Sequence, residues 1–378
     1  MLLIEQLKQI PDHRNVKGQK YSLWVILFMS LMGSLCGYIG YRPLADFASE
    51  HQEKLAELLE LPPAKSTPSY STFRRILLAV EPKYLATVFN VWALGTMPLL
   101  LNRLLSLDGK SIKCTSSGGN TSAQNFTSLV SVYDDETAGV VQIQIMQNKK
   151  QSEIGVARNL IGELAQLPSG QILSLDALHT QTATVAAIVD SGHDYLITVK
   201  QNQPTLYRTI ESATQTQTNI SHASAFDSTH GRTIERSVSV FAAPTQLLAK
   251  WTGLKSVIMV NRAGVRARKS SSETVYYLSS QSLTANTYAT FSGEASPEKL
   301  AYMRLIRGHW AIENRLHWVK DVTFDEDYPS RTGGHAPVNW AILFTWIVTL
   351  VRRAGIRTVP QALRLWANQV EAVFSFLG

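Results

Sequence analysis

Beyond Asn102 the apolar residues of this 378-residue chain stop recurring at helical spacing and gather into short runs bounded by Gly, Asn, Asp and Ser. Runs of this length read as buried strands, since a helix needs about ten residues to cover an apolar face. They fall at 103–108, 128–134, 139–147, 171–176 and 194–200, with helical stretches at 152–166 and 180–191 between the later ones. Three early strands, then alternating helices and strands, predict an α/β fold with a sheet of mixed direction. The segment 115–127, rich in Ser, Gly, Thr and Asn, reads as a loop. Between about 201 and 297 the rhythm changes to strands at 232–242, 254–262 and 273–280, a β-rich insertion inside the α/β domain. Helical pattern returns from Ser296 to Val322, and two further helices are expected at 337–353 and 359–376.

Residues 1–100 read as a separate N-terminal helical domain, and 101–378 as the α/β domain. A polar loop from Pro11 to Gly18 precedes an apolar helix, helical pattern continues from Ile39 to Leu59, Pro62-Pro63 breaks it, and Ser69 to Leu78 starts another helix. The stretch Ser22–Tyr41 holds no charge and has the length of a membrane span, with Gly33 and Gly37 spaced like a membrane packing motif. It also carries Ser22, Ser30 and Ser34 and ends in Tyr38 and Tyr41 beside Arg42. The one later apolar run, Trp340–Val351, is too short to cross. We therefore expect a buried helix and no membrane anchor. The N-terminus shows no secretory signal, and Cys36 and Cys114 form neither a disulfide framework nor zinc-finger spacing, which points to a reducing compartment.

Two of the strand-like runs end in an aspartate: Leu104-Leu105-Ser106-Leu107-Asp108-Gly109-Lys110 and Ile172-Leu173-Ser174-Leu175-Asp176-Ala177. An acid at the end of a buried strand sits at the sheet edge, where sites are usually built. A third carboxylate, Glu313, lies in the distant amphipathic stretch His309-Trp310-Ala311-Ile312-Glu313-Asn314. Three carboxylates make a hard oxygen cage for Mg²⁺ or Mn²⁺, and two such metals clamp the attacking and leaving oxygens of a phosphodiester. Aspartates in these places also serve as turn or helix caps.

On an α-helix His309, Glu313, His317 and Lys320 share one face, and Ile312, Leu316 and Val319 share an apolar one. Imidazoles and an ammonium around Glu313 would keep it ionised, and Lys320 could reach a DNA phosphate. Trp310 and Trp318 are expected in the core. Zinc is disfavoured, because there is no H-E-x-x-H and no cysteine nearby.

The net charge is +7, but its distribution matters more. Residues 101–200, which hold both aspartates, carry nine acidic against seven basic side chains, whereas the flanking stretches are net basic. That suits a metal-dependent enzyme acting on nucleic acid. Arg262, Arg266, Arg268 and Lys269 in the insertion are either DNA-backbone contacts or part of a solvated loop. No G-x-x-x-x-G-K-[ST] is present, so no nucleotide cofactor is expected.

The order of motifs resembles insertion-sequence transposases of the Asp-Asp-Glu superfamily, in particular the H-repeat-associated group. The resemblance runs from Pro11-Asp12-His13-Arg14 through Leu107-Asp108-Gly109-Lys110-Ser111, Ser152-Glu153-Ile154 and Asp176-Ala177-Leu178-His179-Thr180-Gln181. It continues through Val199-Lys200-Gln201-Asn202-Gln203 and His230-Gly231-Arg232 to Arg307-Gly308-His309-Trp310-Ala311-Ile312-Glu313-Asn314 with Leu316-His317-Trp318.

This resemblance implies an RNase H-like mixed sheet with an insertion between the second Asp and the Glu, which here lie 137 residues apart. It implies that Asp108, Asp176 and Glu313 are catalytic and bind two Mg²⁺ ions, with Mn²⁺ able to substitute. Lys110, His309 and Lys320 join the insertion's basic residues as expected DNA contacts. The implied substrates are the element's terminal inverted repeats and target DNA, handled by a homodimer in the bacterial cytoplasm, at the nucleoid. The wider superfamily's Tyr-x2-Arg-x3-Glu-x6-Lys signature is matched at Glu313 and Lys320 but replaced by Ile306 and His309, which leaves its DNA-hairpin route open. The alternatives are a catalytically silent DNA-binding descendant and a nuclease that cuts without joining.

Overall fold

The computed structural model describes residues 2–62, 66–97, 102–119, 121, 124–229, 232–266, 269–281, 308 and 310–377. Its contacts divide the chain into two units, one of residues 1–98, 109–153 and 313–378, the other of 99–108 and 154–312.

The first unit is mainly helical. It contains α1 (Leu2–Lys8), α2 (Leu23–Leu35), α3 (Tyr41–Glu50), α4 (Gln52–Leu58), α5 (Tyr70–Ala79) and α6 (Pro82–Gly95). The charge-free stretch is α2, buried along nearly its whole length. Its serines do not oppose that burial, because Ser30 and Ser34 donate to the carbonyls of Ile26 and Ser30, each at 2.7 Å. Gly33 is a contact point: a Cβ there would lie 2.9 Å from Leu44 and Phe47 of α3. Gly37 and Gly40, at φ 92° and 118°, turn the chain from α2 into α3, a conformation that L side chains resist. The membrane-like spacing is thus a helix packing and turning device. Among the described residues no helix is long and apolar enough to cross a membrane.

The C-terminal part of this unit supplies α11 (Trp318–Phe324), α12 (Ala336–Arg353), α13 (Val359–Leu365) and α14 (Val370–Leu377). The expected single helix over 359–376 is two, parted at Asn368, which takes φ 59°. α12 is buried over sixteen consecutive residues. Its Trp346 packs edge-on to Phe89 at 5.3 Å and against Trp92 at 5.6 Å, and its Phe344 stacks on Phe324 at 4.2 Å. The β-structure here is the hairpin of β2 (Asn125–Asp134) and β3 (Gly139–Gln147), with β2 beside the second half of β1 (Leu104–Ser117). β1 runs well past its apolar run, to Ser117, and β2 begins at Asn125, so both ends of the expected 115–127 loop are strand.

The second unit is a mixed sheet with helices. Its strands are the first half of β1, then β4 (Ile172–Leu175), β5 (Asp194–Val199), β6 (Ser221–Thr229), β7 (Arg232–Ala242), β8 (Ser256–Arg266) and β9 (Lys269–Ser279). In hydrogen-bonding order they run β1-β4-β5-β9-β8-β7-β6. β1, β4 and β5 are parallel, as α7 (Glu153–Glu163) and α8 (Thr182–Asp190) between them allow. The insertion continues this sheet: β9 pairs antiparallel with β5 through Leu196↔Ser279 to Val199↔Tyr276. It also contains a helix and a strand absent from the sequence reading, α9 (Pro204–Thr216) and β6, and a short α10 (Thr245–Leu248). Leu104, Ile172, Leu196, Val238, Val240, Ile258, Val260 and Tyr277 form one apolar row across six strands, from β1 to β7.

Candidate active site

That row turns polar toward the strands' C-terminal ends. In a strand, residues two apart share a face, so Leu104, Ser106 and Asp108 line one side of β1, and Ile172, Ser174 and Asp176 line one side of β4. The parallel register pairs Leu104 with Ile172 and Ser106 with Ser174. Asp108 and Asp176 each lie two residues beyond the last paired position of their runs. The two aspartates therefore share a face and an edge, both partly exposed.

Asp176 is held from behind. Its carboxylate accepts a hydrogen bond from the Leu178 N–H at 2.9 Å, capping a short 3-10 turn. Asn202 Nδ2 donates to the Ala177 carbonyl at 2.7 Å, and Gln203 Nε2 to that of Thr180 at 3.0 Å. Thr180 Oγ1 donates to the Thr198 carbonyl at 2.6 Å. Two motifs separated in sequence, 176–181 and 199–203, are thus one clasp around the second aspartate. Beside the first aspartate, Ser106 Oγ donates to the Gly308 carbonyl at 3.1 Å, which fastens the start of the third motif to β1.

Glu313 belongs to the helical unit and is exposed. It opens a π-helical turn, Glu313–His317, ahead of α11. The wider turn spoils α-helical phase. Glu313 is open to solvent, whereas His317 is 8% and Lys320 1% exposed. The predicted common face does not form. Lys320 is ion-paired with Glu326 at 3.0 Å inside the unit, which corrects its assignment as a DNA contact. Burial lowers its ammonium's pKa against the opposing pull of Glu326. Burial, reinforced by Lys320 and Lys110, pushes the His317 imidazole down to about 3, so it is neutral at physiological pH.

Lys110 is also committed within the unit, 2.7 Å from Asp321 and 3.3 Å from Asp327, and Asp327 pairs with Lys113 as well. Desolvation opposes its charge, but the hydrogen bond it donates to Asp321 and the nearby carboxylates win and raise its pKa. Its expected role toward DNA gives way to an internal ion-pair cluster. His309 and Arg268 lie outside the described residues, as do the side chains of Arg266 and Lys269, although the register sets those two opposite each other at the end of the β8–β9 hairpin. Arg262 is partly buried, 3.8 Å from Glu273 and with its guanidinium 5.7 Å from the centre of the Trp310 ring. Trp310 and Trp318 are 43% and 58% exposed, so neither is the core residue expected from the sequence. Their spacing among apolar neighbours gave no warning of this.

Among the described residues no group of three or more His, Cys, Asp or Glu side chains is gathered so as to hold a metal ion. The Asp108–Asp176 pair nonetheless has the donor chemistry for one, since hard divalent cations take carboxylate oxygens.

Residues 100–348 match the family described as Transposase DDE domain, and residues 4–93 match the one described as DDE_Tnp_1-associated. The chain is 27% identical to "Putative protein YbfL" of Escherichia coli (strain K12), over all of this chain and 98% of that protein. It is 26% identical, with the same coverage, to "H repeat-associated putative transposase YhhI" of the same strain. "Putative transposase YncI" of Escherichia coli O157:H7 is 26% identical over 88% of this chain and 83% of its own length.

Proposed function

The chain belongs to the transposase family defined by the DDE domain, and on that premise we propose that it cuts DNA at the terminal inverted repeats of its own element and joins the ends to target DNA. The observation that supports this reading is the β1–β4 register, which pairs Ser106 with Ser174, each two residues before the aspartate of its own run. Glu313 completes the catalytic set. Gly308, five residues before it, is fastened to Ser106, two residues before Asp108. Asp108, Asp176 and Glu313 would hold two divalent ions, Mg²⁺ or Mn²⁺, which when bound would supply Lewis acidity toward water and the scissile phosphate. The protein's own part is to hold the carboxylates: the clasp of Asn202 and Gln203 fixes the turn that carries Asp176, and the β1 backbone fixes Asp108. Phosphodiester exchange conserves bond energy and needs no nucleotide cofactor. The enzyme works on DNA in the bacterial cytoplasm, as a homodimer when bound.

The test is the set Asp108→Asn, Asp176→Asn and Glu313→Gln, assayed side by side for binding, cleavage and joining of a labelled element end with Mg²⁺ and a target plasmid. Each change removes one negative charge and keeps shape, so each should abolish cleavage and joining while end binding survives. Near-wild-type cleavage by any variant removes that residue from the site. A wild type that binds but never cuts is a silent descendant, and one that cuts without joining is a nuclease.

A further inference from the structure

We propose that Lys110 and Asp321 are positioning residues of the active site, whose ion pair fixes the spacing of Asp108 and Glu313; the inference rests on the transposase reading. Lys110 follows Asp108 by two residues on β1, and Asp321 lies on α11, eight residues after Glu313. The Lys110 ammonium is 2.7 and 2.9 Å from the two carboxylate oxygens of Asp321. It is also 3.3 Å from Asp327, just beyond α11, whose other oxygen is held by Lys113. Lys110 and Asp321 both belong to the helical unit. In the sheet-bearing unit, Ser106 is fastened to Gly308. One tie thus joins the stretches of chain that follow the two acids, and the other joins the stretches that precede them. Along its own stretch, each acid lies between the two ties.

The pair contributes direction more than stability. The Lys110 side chain is only 10% exposed, so its charge is largely stripped of water. An ion pair in such a place adds little over apolar side chains of similar volume. It differs from them in being directional, since the ammonium must meet carboxylate oxygens at hydrogen-bond distance, whereas apolar contact has no preferred direction. Charge alone would work against the site, because a cation two residues from Asp108 opposes the binding of another cation. Holding the carboxylates in place works for it. Partners that orient metal-holding side chains are worth about 10- to 100-fold in affinity.

The full-length protein is tested as wild type, as Lys110→Met and as the double variant Lys110→Met, Asp321→Leu. The probe is Mn²⁺ alone, its binding read by electron paramagnetic resonance; denaturant midpoints and Mg²⁺-dependent cleavage of a labelled element end are read alongside. The double variant keeps the net charge of the wild type and puts apolar side chains in place of the pair. Its midpoint should match the wild type, while that of the single variant falls. Its Mn²⁺ affinity should nonetheless drop about 10- to 100-fold, and the Mg²⁺ needed for half-maximal cleavage should rise by a similar factor. A pair that serves stability alone would leave Mn²⁺ affinity at the wild-type value once the midpoint recovers, and that result overturns the positioning role. If the double variant does not fold, Asp321→Asn decides. It keeps shape but weakens the hold on Lys110, so it should bind Mn²⁺ more weakly, and equal affinity overturns the role. A wild type that neither binds Mn²⁺ nor cuts the element end marks failure of the transposase reading itself.

Discussion

Lys320 shows how far a residue's role depends on its surroundings. Read as a lysine seven positions after a catalytic glutamate, it points to phosphate, yet it is buried against Glu326. Removing one partner of such a pair leaves an uncompensated charge. Lys320→Met should therefore cost about 3–5 kcal/mol, and the double change Lys320→Met, Glu326→Leu should regain most of it, measured by denaturant unfolding. Unchanged stability in the single variant, with weakened DNA binding, would return Lys320 to the DNA. His317 gives a second prediction at this scale. Its folded value is about 3 against an ordinary 6.5, so between these pH values the unfolded chain takes up a proton that the folded chain refuses. Its contribution is complete above pH 6.5 and is lost as pH falls toward 3, by up to ~1.4 kcal/mol per pH unit. The wild type minus His317→Phe difference in unfolding free energy should follow that slope; a flat difference overturns the assignment. The strand positions of the two aspartates were legible because each closes a short apolar run bounded by turn residues. Lys320, Trp310 and Trp318 were not, because helical phase was assumed through a stretch that contains a π-turn.

At the level of elements, sequence pattern located the strands and helices whose apolar surface is continuous, such as β3 and α12, almost to the residue. It failed where polar residues build structure, as in β6, whose sequence Ser-His-Ala-Ser-Ala-Phe-Asp-Ser-Thr reads as turn. α12 owes its place to more than apolar contact. Asn339, fully buried, donates from Nδ2 to the carbonyls of Leu77 and Val80 at 2.9 and 2.8 Å, where α5 ends. Those carbonyls lie at the helix terminus and lack an intrahelical partner. Asn339→Leu leaves them unsatisfied and should destabilise the protein by about 1–3 kcal/mol, seen as a lower denaturation midpoint. A shift below ~0.5 kcal/mol would mean that water replaces the amide.

For the molecule as a whole, the mixed α/β sheet and the β-rich insertion were readable from the change of periodicity at 102 and its second change near 201. That the insertion lengthens the same sheet was not, because strand pairing across some eighty residues leaves no local trace. This placement makes the basic hairpin end of β8–β9 part of the sheet-bearing unit. Replacing Arg262, Arg266, Arg268 and Lys269 by neutral residues should weaken DNA binding and lower the slope of log affinity against log salt by up to ~3–4, since each phosphate contact releases close to one counterion. An unchanged slope would make that end of the hairpin an ordinary solvated surface.

The order in which the insertion meets the sheet also sets an order of assembly. After α9 the chain goes first to β6, the strand farthest from β5, and returns inward through β7 and β8. Each step is an antiparallel pairing of strands that follow one another in the chain, with α10 in the connection from β7 to β8, and such local pairings form quickly. Only the last strand made, β9, reaches the older part of the sheet, by pairing with β5. The meander can thus form early during synthesis, but its docking waits for the end of the insertion and bears the entropic cost of a long loop. Until then β5 has a bare edge, so β9 acts as the seal that protects the half-made enzyme from pairing with another chain.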